Sequence, residues 1–119
     1  MDSIEKGFYK KRGYISRGNT MNQEIVILPH KNATGYTISL GPLAIVMIVT
    51  DKGMVGCGAF DVLALDRFAY PAARVRPSRG DVITTLDDLL NGIIKEANRT
   101  ATTCGIREGM LVREALTYL

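Results

Sequence analysis

Ready-made chemistry is scarce in this 119-residue chain: it has one histidine, two cysteines, and no grouping of the two at metal-ligand spacing. Cys57 and Cys104 cannot build a disulfide framework, so the core has to come from hydrophobic burial, and a reduced, cytoplasmic compartment is expected. No motif calls for a metal or a cofactor. Long hydrophobic runs are missing too. The longest, Leu43–Val49 (LAIVMIV), is far shorter than the ~20 residues of a spanning helix, so no membrane partner is expected. The N-terminus has no apolar leader segment. The sequons at Asn32 and Asn98 and the Arg79-Gly80-Asp81 triplet, which matter only after secretion, are therefore set aside. There is no internal repeat and no low-complexity tract.

What is present is an ordinary single-domain composition, 46% hydrophobic and 23% charged. Its net charge of +3 is unevenly placed. In residues 1–20, Lys6, Lys10, Lys11, Arg12 and Arg17 face only Asp2 and Glu5, a surplus equal to that of the whole chain. Residues 1–20 therefore read as a basic, flexible N-terminal arm, or as a leader preceding Met21, and residues 21–119 as a neutral domain. Phe8, Tyr9 and Tyr14 interleave with the basic residues, a pattern suited to stacking and phosphate contact. Nucleic-acid contact through the arm is the weaker reading.

From Met21 the patterning is of strands. Glu24–Leu28 is a short apolar run ended by Pro29, and Ala33–Leu40 sets Tyr36, Ile38 and Leu40 at period two, as a half-buried strand would. Leu43–Val49 does not alternate and predicts a strand covered on both faces. Thr50–Gly53 then predicts a hairpin turn with Gly53 in the left-handed region, and Met54 onward an antiparallel return strand. After residue 61 the period changes. Asp61 is placed to cap a helix with Val62, Leu65 and Ala69 on one side, ended by Pro71, and Ala72–Arg76 can form a further strand. A second helix starts at Thr84 or Thr85 with Leu86, Leu89 and Leu90 inward. Ile94, Ala97, Ala101 and Cys104 form an amphipathic stripe, read as a third helix closed by Gly105. The last helix turns Leu111, Val112, Ala115, Leu116 and Leu119 inward. Strands followed by helices is an α+β order: a two-layer fold, a mixed or antiparallel sheet with three to four helices packed on it.

Four stretches, in this order and spacing, resemble the YunC-like family of small bacterial and archaeal domains: VTDKGMVGCGAFDV, the following helix with its ARV strand, TTLDDLLNG, and GIREGMLVREAL. The resemblance begins near Ala44 and implies a small α+β domain and no particular activity. Gly56, Cys57, Gly58, Asp61, Gly109, Arg113, Glu114 and Ala115 match the family's recurring positions. The loop RPSRGDVI is longer than the family's usual link, and the basic arm lies outside the resemblance.

Candidate sites follow from residue chemistry. Cys57, between two glycines and near a helix start, is either a core residue or a thiol activated with help from Asp61 or His30. Asp61 beside it would raise a thiol's pKa, and glycines in a strand equally serve close packing. Arg74, Arg76 and Arg79 can converge on a phosphate or carboxylate, or form a charged strand edge. Arg113 and Glu114 point about 100° apart on a helix and fit structural or interface ion pairs, or a small anion site. Asp87 and Asp88 belong to a helix's first turn and are assigned no catalysis. The expected function is a non-enzymatic, self-associating binding or interaction module with a possible small anionic ligand. Self-association is argued from the apolar strand Leu43–Val49 and from Met47, Met54 and Met110 as added apolar surface. The rival is a small enzyme or redox protein built on Cys57.

Overall fold

The computed structural model describes residues 9–15, by their backbone alone, 21–80 and 82–119. Seven strands form one sheet: β1 (Tyr9–Ile15), β2 (Met21–Ile27), β3 (Asn32–Leu40), β4 (Leu43–Val49), β5 (Met54–Gly56), β6 (Ala72–Arg76) and β7 (Ile93–Ala97). Spatial order equals chain order, and every neighbouring pair is antiparallel except β5 with β6. That one parallel pair requires a crossover, supplied by α1 (Val62–Leu65) and a 3₁₀ turn over Asp66–Phe68. The remaining helices are α2 (Leu86–Leu90), α3 (Arg99–Cys104) and α4 (Val112–Ala115). None of the described helices is long and apolar enough to cross a membrane. Part of the expected N-terminal arm, Tyr9–Ile15, lies as β1 along β2. Residues 1–8 and 16–20 fall outside the described residues.

Strand alternation splits the apolar residues between two faces. Val46, Ile48, Val55, Ala73 and Val75 point one way, into a core with Leu86, Leu89 and Leu90 of α2, Ala101 of α3, and Val112, Ala115 and Leu116 toward the C-terminus. Met47, Val49, Met54 and Ala72 point the other way, onto Val62 of α1. The all-apolar β4, expected to be covered on both faces, is so only toward Met47 and Val49, which meet α1; Leu43 at its start is 62% exposed, because α1 does not extend that far.

β3 departs from its expected orientation. Its buried residues are Ala33 and Gly35, while Tyr36 and Ile38 are only half buried and Leu40 is exposed. Gly35 lies under Leu86, whose Cδ1 would stand 2.6 Å from a Cβ added there. The small residues admit α2 on one face, so the larger apolar ones are left on the other.

Other expectations are corrected by tertiary context. Residues 93–97, read as the start of a helix, are strand β7; the β-branched pair Ile93–Ile94 matches β6, and the helix starts only after Asn98. Leu111 is exposed, since it is the extended residue before α4 and bridges Ile93. Gly53 does not adopt a positive φ: it is required because a Cβ there would meet the Pro71 carbonyl oxygen. The helix at Asp61 runs only to Leu65, passes into the 3₁₀ turn, and ends at an exposed Ala69 with φ 55°. Its capping is as expected, with the Asp61 carboxylate accepting from the Ala64 N–H at 3.0 Å. Thr85 and Asp88 form a reciprocal capping box on α2.

Candidate functional site

β5 is three residues long, and the strands on either side of it are longer. Its last ladder pair is Gly56 with Met47, after which the Cys57 N–H still reaches the Val46 carbonyl at 3.0 Å. The chain then turns away through Gly58 and Ala59 to Asp61. β4 continues on one side of the gap to Leu43, and β6 continues on the other to Arg76. The two parallel strands send their connections to opposite faces: β5 leads to α1, and β6 leads through Ile83 to α2. A crevice at the carboxyl ends of parallel strands whose connections diverge is where open α/β sheets hold ligands.

A cleft of ≈ 520 Å³ occupies this position. Leu40, Ile45, Cys57, Val75 and Ile83 are among its apolar walls, and Arg76 and Lys95 are its charged groups. Both are exposed, and among the described residues neither has a hydrogen-bonded or ionic side-chain partner. Among the described residues the lining contains no carboxylate. On the far side of the same cations, Glu108 and Gly109 line a separate cleft with Ile94.

The two glycines around Cys57 have different reasons to be glycine. A Cβ on Gly56 would stand 2.5 Å from the Phe60 ring, so Gly56 serves packing. A Cβ on Gly58 would meet nothing within 4 Å. Gly58 lines the cleft, and its carbonyl accepts from Arg74 Nη1 at 3.4 Å.

The expected site residues are brought together only in part. Cys57 is 6% exposed, part of the main core as well as a wall of the cleft. Asp61 spends its carboxylate on the α1 cap. His30 is exposed in the β2–β3 turn, at the end of the sheet where Lys31 pairs with Asp51 at 2.6 Å, opposite the cleft. Of the three arginines expected to converge, Arg76 alone lines the cleft. Arg74 is held by Glu96, its Nε and Nη2 both 2.9 Å from Oε1. Arg79 borders a different cleft with Pro77, Ser78, Asp88 and Asn91. Arg113 reaches Asn91 through Nη2 at 3.4 Å, and Glu114 is exposed beside it. Among the described residues no grouping of His, Cys, Asp and Glu could hold a metal.

Two positions escaped the sequence reading. Lys95 reaches the cleft because β7 bulges: Arg74 pairs with Glu96 and Val75 with Ile94, leaving Lys95 between them without a partner in the ladder. A helix through residues 93–97 hides this. The other is Asn98, 1% exposed, whose Nδ2 donates to Val62 O at 2.8 Å and Tyr70 O at 2.9 Å. Its Oδ1 accepts from Ala101 N at 2.8 Å and Ala72 N at 3.2 Å, so it caps α3 and fixes the crossover together. Polar groups so deeply buried are stable only when satisfied in this way. Close by, Asp66 accepts from the Thr100 hydroxyl and amide, which hold its carboxyl below the usual range. The Thr84 amide, with further donors from Thr84 and Thr85, does the same for Asp88.

This architecture has relatives. The crystal structure of a protein of unknown function from Thermoplasma acidophilum, TA1206, matches with a TM-score of 0.73 and 26% identity, over 83% of this chain and 92% of that one. The uncharacterized protein YunC of Bacillus subtilis (strain 168) is 28% identical over 96 residues, which is 81% of this chain and 94% of YunC. Residues 56–119, from the last residue of β5 to Leu119, match the model of a domain of unknown function, DUF1805. With more than half its length so matched, and the cleft-forming Gly56-Cys57-Gly58 turn inside the match, the chain belongs to the DUF1805 family.

Proposed function

We propose that this protein is a non-enzymatic binding module of the cytoplasm that works as a homo-oligomer. The carrying observation is the composition of the sheet face opposite α2. Beyond the reach of α1, that face presents Met21 and Ile25 from β2, Tyr36, Ile38 and Leu40 from β3, and Leu43 and Ile45 from β4. Met21, Ile25, Leu40 and Leu43 are exposed. A contiguous apolar surface of this kind marks an association site far more often than scattered single residues do. None of the methionines expected to add to it does so fully: Met47 is half-buried against the α1 cluster, Met54 is buried beneath α1, and Met110 packs against the main core. Two free cysteines support the cytoplasmic setting.

Light scattering and sedimentation velocity at micromolar concentration test the reading. The native protein is expected to be a homo-oligomer, and Leu43→Glu, at a position 62% exposed, is expected to dissociate it without loss of fold. A native monomer across that range would overturn the proposal.

A further inference from the structure

We infer that the cleft at the ends of β5 and β6 is a binding site for a small amphipathic carboxylic acid, with its apolar body against Leu40, Ile45, Val75 and Ile83 and its carboxylate on Arg76 and Lys95. The family assignment does not contain this site. Leu40, Leu43 and Ile45 belong both to it and to the open face, but one subunit builds all of it, so it does not depend on self-association.

The cleft has the volume of an ordinary small-molecule site, roughly 300–1,000 Å³, and its walls are mostly apolar. An apolar ligand body is what such walls accommodate. The polar requirement comes from charge. Arg76 and Lys95 both line the cleft, and among the described residues no carboxylate lines it with them and neither has an ionic partner. Of the described carboxylates, Glu96 is bound to Arg74, and Glu108 lies in the adjoining cleft, which Arg76 and Lys95 also line without an ion pair to it. Two cations with no ion-pair partner among the described residues, in the lining of an apolar cleft, are complementary to a ligand with an apolar body and one anionic end.

The ends of the neighbouring helices choose carboxylate over phosphate. In sheets of this topology a phosphate is taken up by free N–H groups at a helix N-terminus. Here the Asp61 carboxylate occupies the start of α1, and the Thr85–Asp88 capping box occupies the start of α2. Each already holds a negative charge, which repels a second. What remains for the ligand is a guanidinium fork, which matches carboxylate and phosphate alike, and an ammonium. Without free helix N–H groups beside them, these suffice for the two oxygens and single charge of a carboxylate. Gly58 lines the cleft without a side chain, and a Cβ there would meet no atom within 4 Å, so the space in front of it is open.

The test is titration of the full chain with octanoate, 1-octanol and octyl phosphate, followed by amide chemical shifts and by the alkylation rate of Cys57, which lies in the cleft wall. Octanoate is expected to give saturable shifts confined to the cleft residues and to slow Cys57 labelling, with octanol about tenfold weaker. Arg76→Glu, a surface change, should weaken octanoate about tenfold or more and leave octanol unchanged. Ala59→Phe, at an exposed lining position, should weaken both. Absence of saturation at millimolar octanoate would overturn the site. Octanol binding as well as octanoate, or an Arg76→Glu protein binding octanoate normally, would overturn the role of the cations. Tighter binding of octyl phosphate would overturn the choice of head group. Ile25→Glu, an exposed change on the open face but outside the cleft lining, separates this proposal from self-association, since it should dissociate the oligomer and leave octanoate binding unchanged.

Discussion

The two faces of the sheet are built from the same kinds of residue and finished differently. On one, Val46, Ile48, Val55 and Val75 are sealed by α2, α3 and α4, and every buried side chain of that cluster is at most 7% exposed. On the other, α1 covers only the end formed by Met47, Val49, Met54 and Ala72, and the surface over β2, β3 and β4 stays open. Composition alone does not separate them, because β4 contributes equally apolar residues to both. The covered face is finished within the chain; the open face is not.

Substitutions should divide along the same line. The largest difference is expected between Leu89→Ala, on the covered face at 0% exposure, and Leu43→Ala on the open one. The first should lose about 2.7–5 kcal/mol in urea unfolding, the second no more than about 0.5 kcal/mol in the monomer. Equal losses would mean that the faces are not energetically distinct. Asn98→Ala comes next. It leaves the Val62 and Tyr70 carbonyls without their amide donor in the interior and removes the α3 cap, for a loss of about 2–4 kcal/mol. As Asn98 ties α1 on one face to α3 at the sheet's edge, hydrogen exchange should quicken in both helices together. Exchange altered in α3 alone would show that the tie is only a cap.

The smallest effect concerns pH. Asp88 on the covered layer, Asp66 beside α1 and Asp51 beside Lys31 all have carboxyls held below the ordinary 3.8 by hydrogen bonds or a cation. In the unfolded chain they bind protons more readily, so their stabilisation is present above that value and is lost as pH falls through the depressed ones. Asp88→Asn should shallow the acid limb of stability against pH, and Thr85→Ala should cost about 1 kcal/mol at neutral pH. An unchanged acid limb in Asp88→Asn would remove the capping box as its source.

Elements whose signal is local could be read from the residues themselves. The Asp61 and Thr85 caps, the β4–β5 hairpin and the inward leucines of α2 fall where spacing and capping chemistry put them. What could not be read depended on neighbours distant in sequence. Ile93–Ala97 has a stripe that suits a helix, and only the open edge of β6 makes it a strand. Tyr36, Ile38 and Leu40 alternate as a buried row would, but Gly35 had already given the inner face to Leu86. For the site, Cys57 and Arg76 were in view, whereas Lys95 was not, because its position follows from a bulge in a strand read as helix.

Asn98 also bears on how the chain comes to be folded as it is made. Strand order follows synthesis order, so each of the antiparallel hairpins can close as soon as its second strand emerges. The β5–β6 crossover cannot be completed that way: the Val62 and Tyr70 carbonyls wait for an amide group 36 and 28 residues further on. A ribosome-bound chain that has not yet delivered residue 98 would therefore hold a finished meander and an unlatched crossover, and the cleft would take its shape only when that latch arrives.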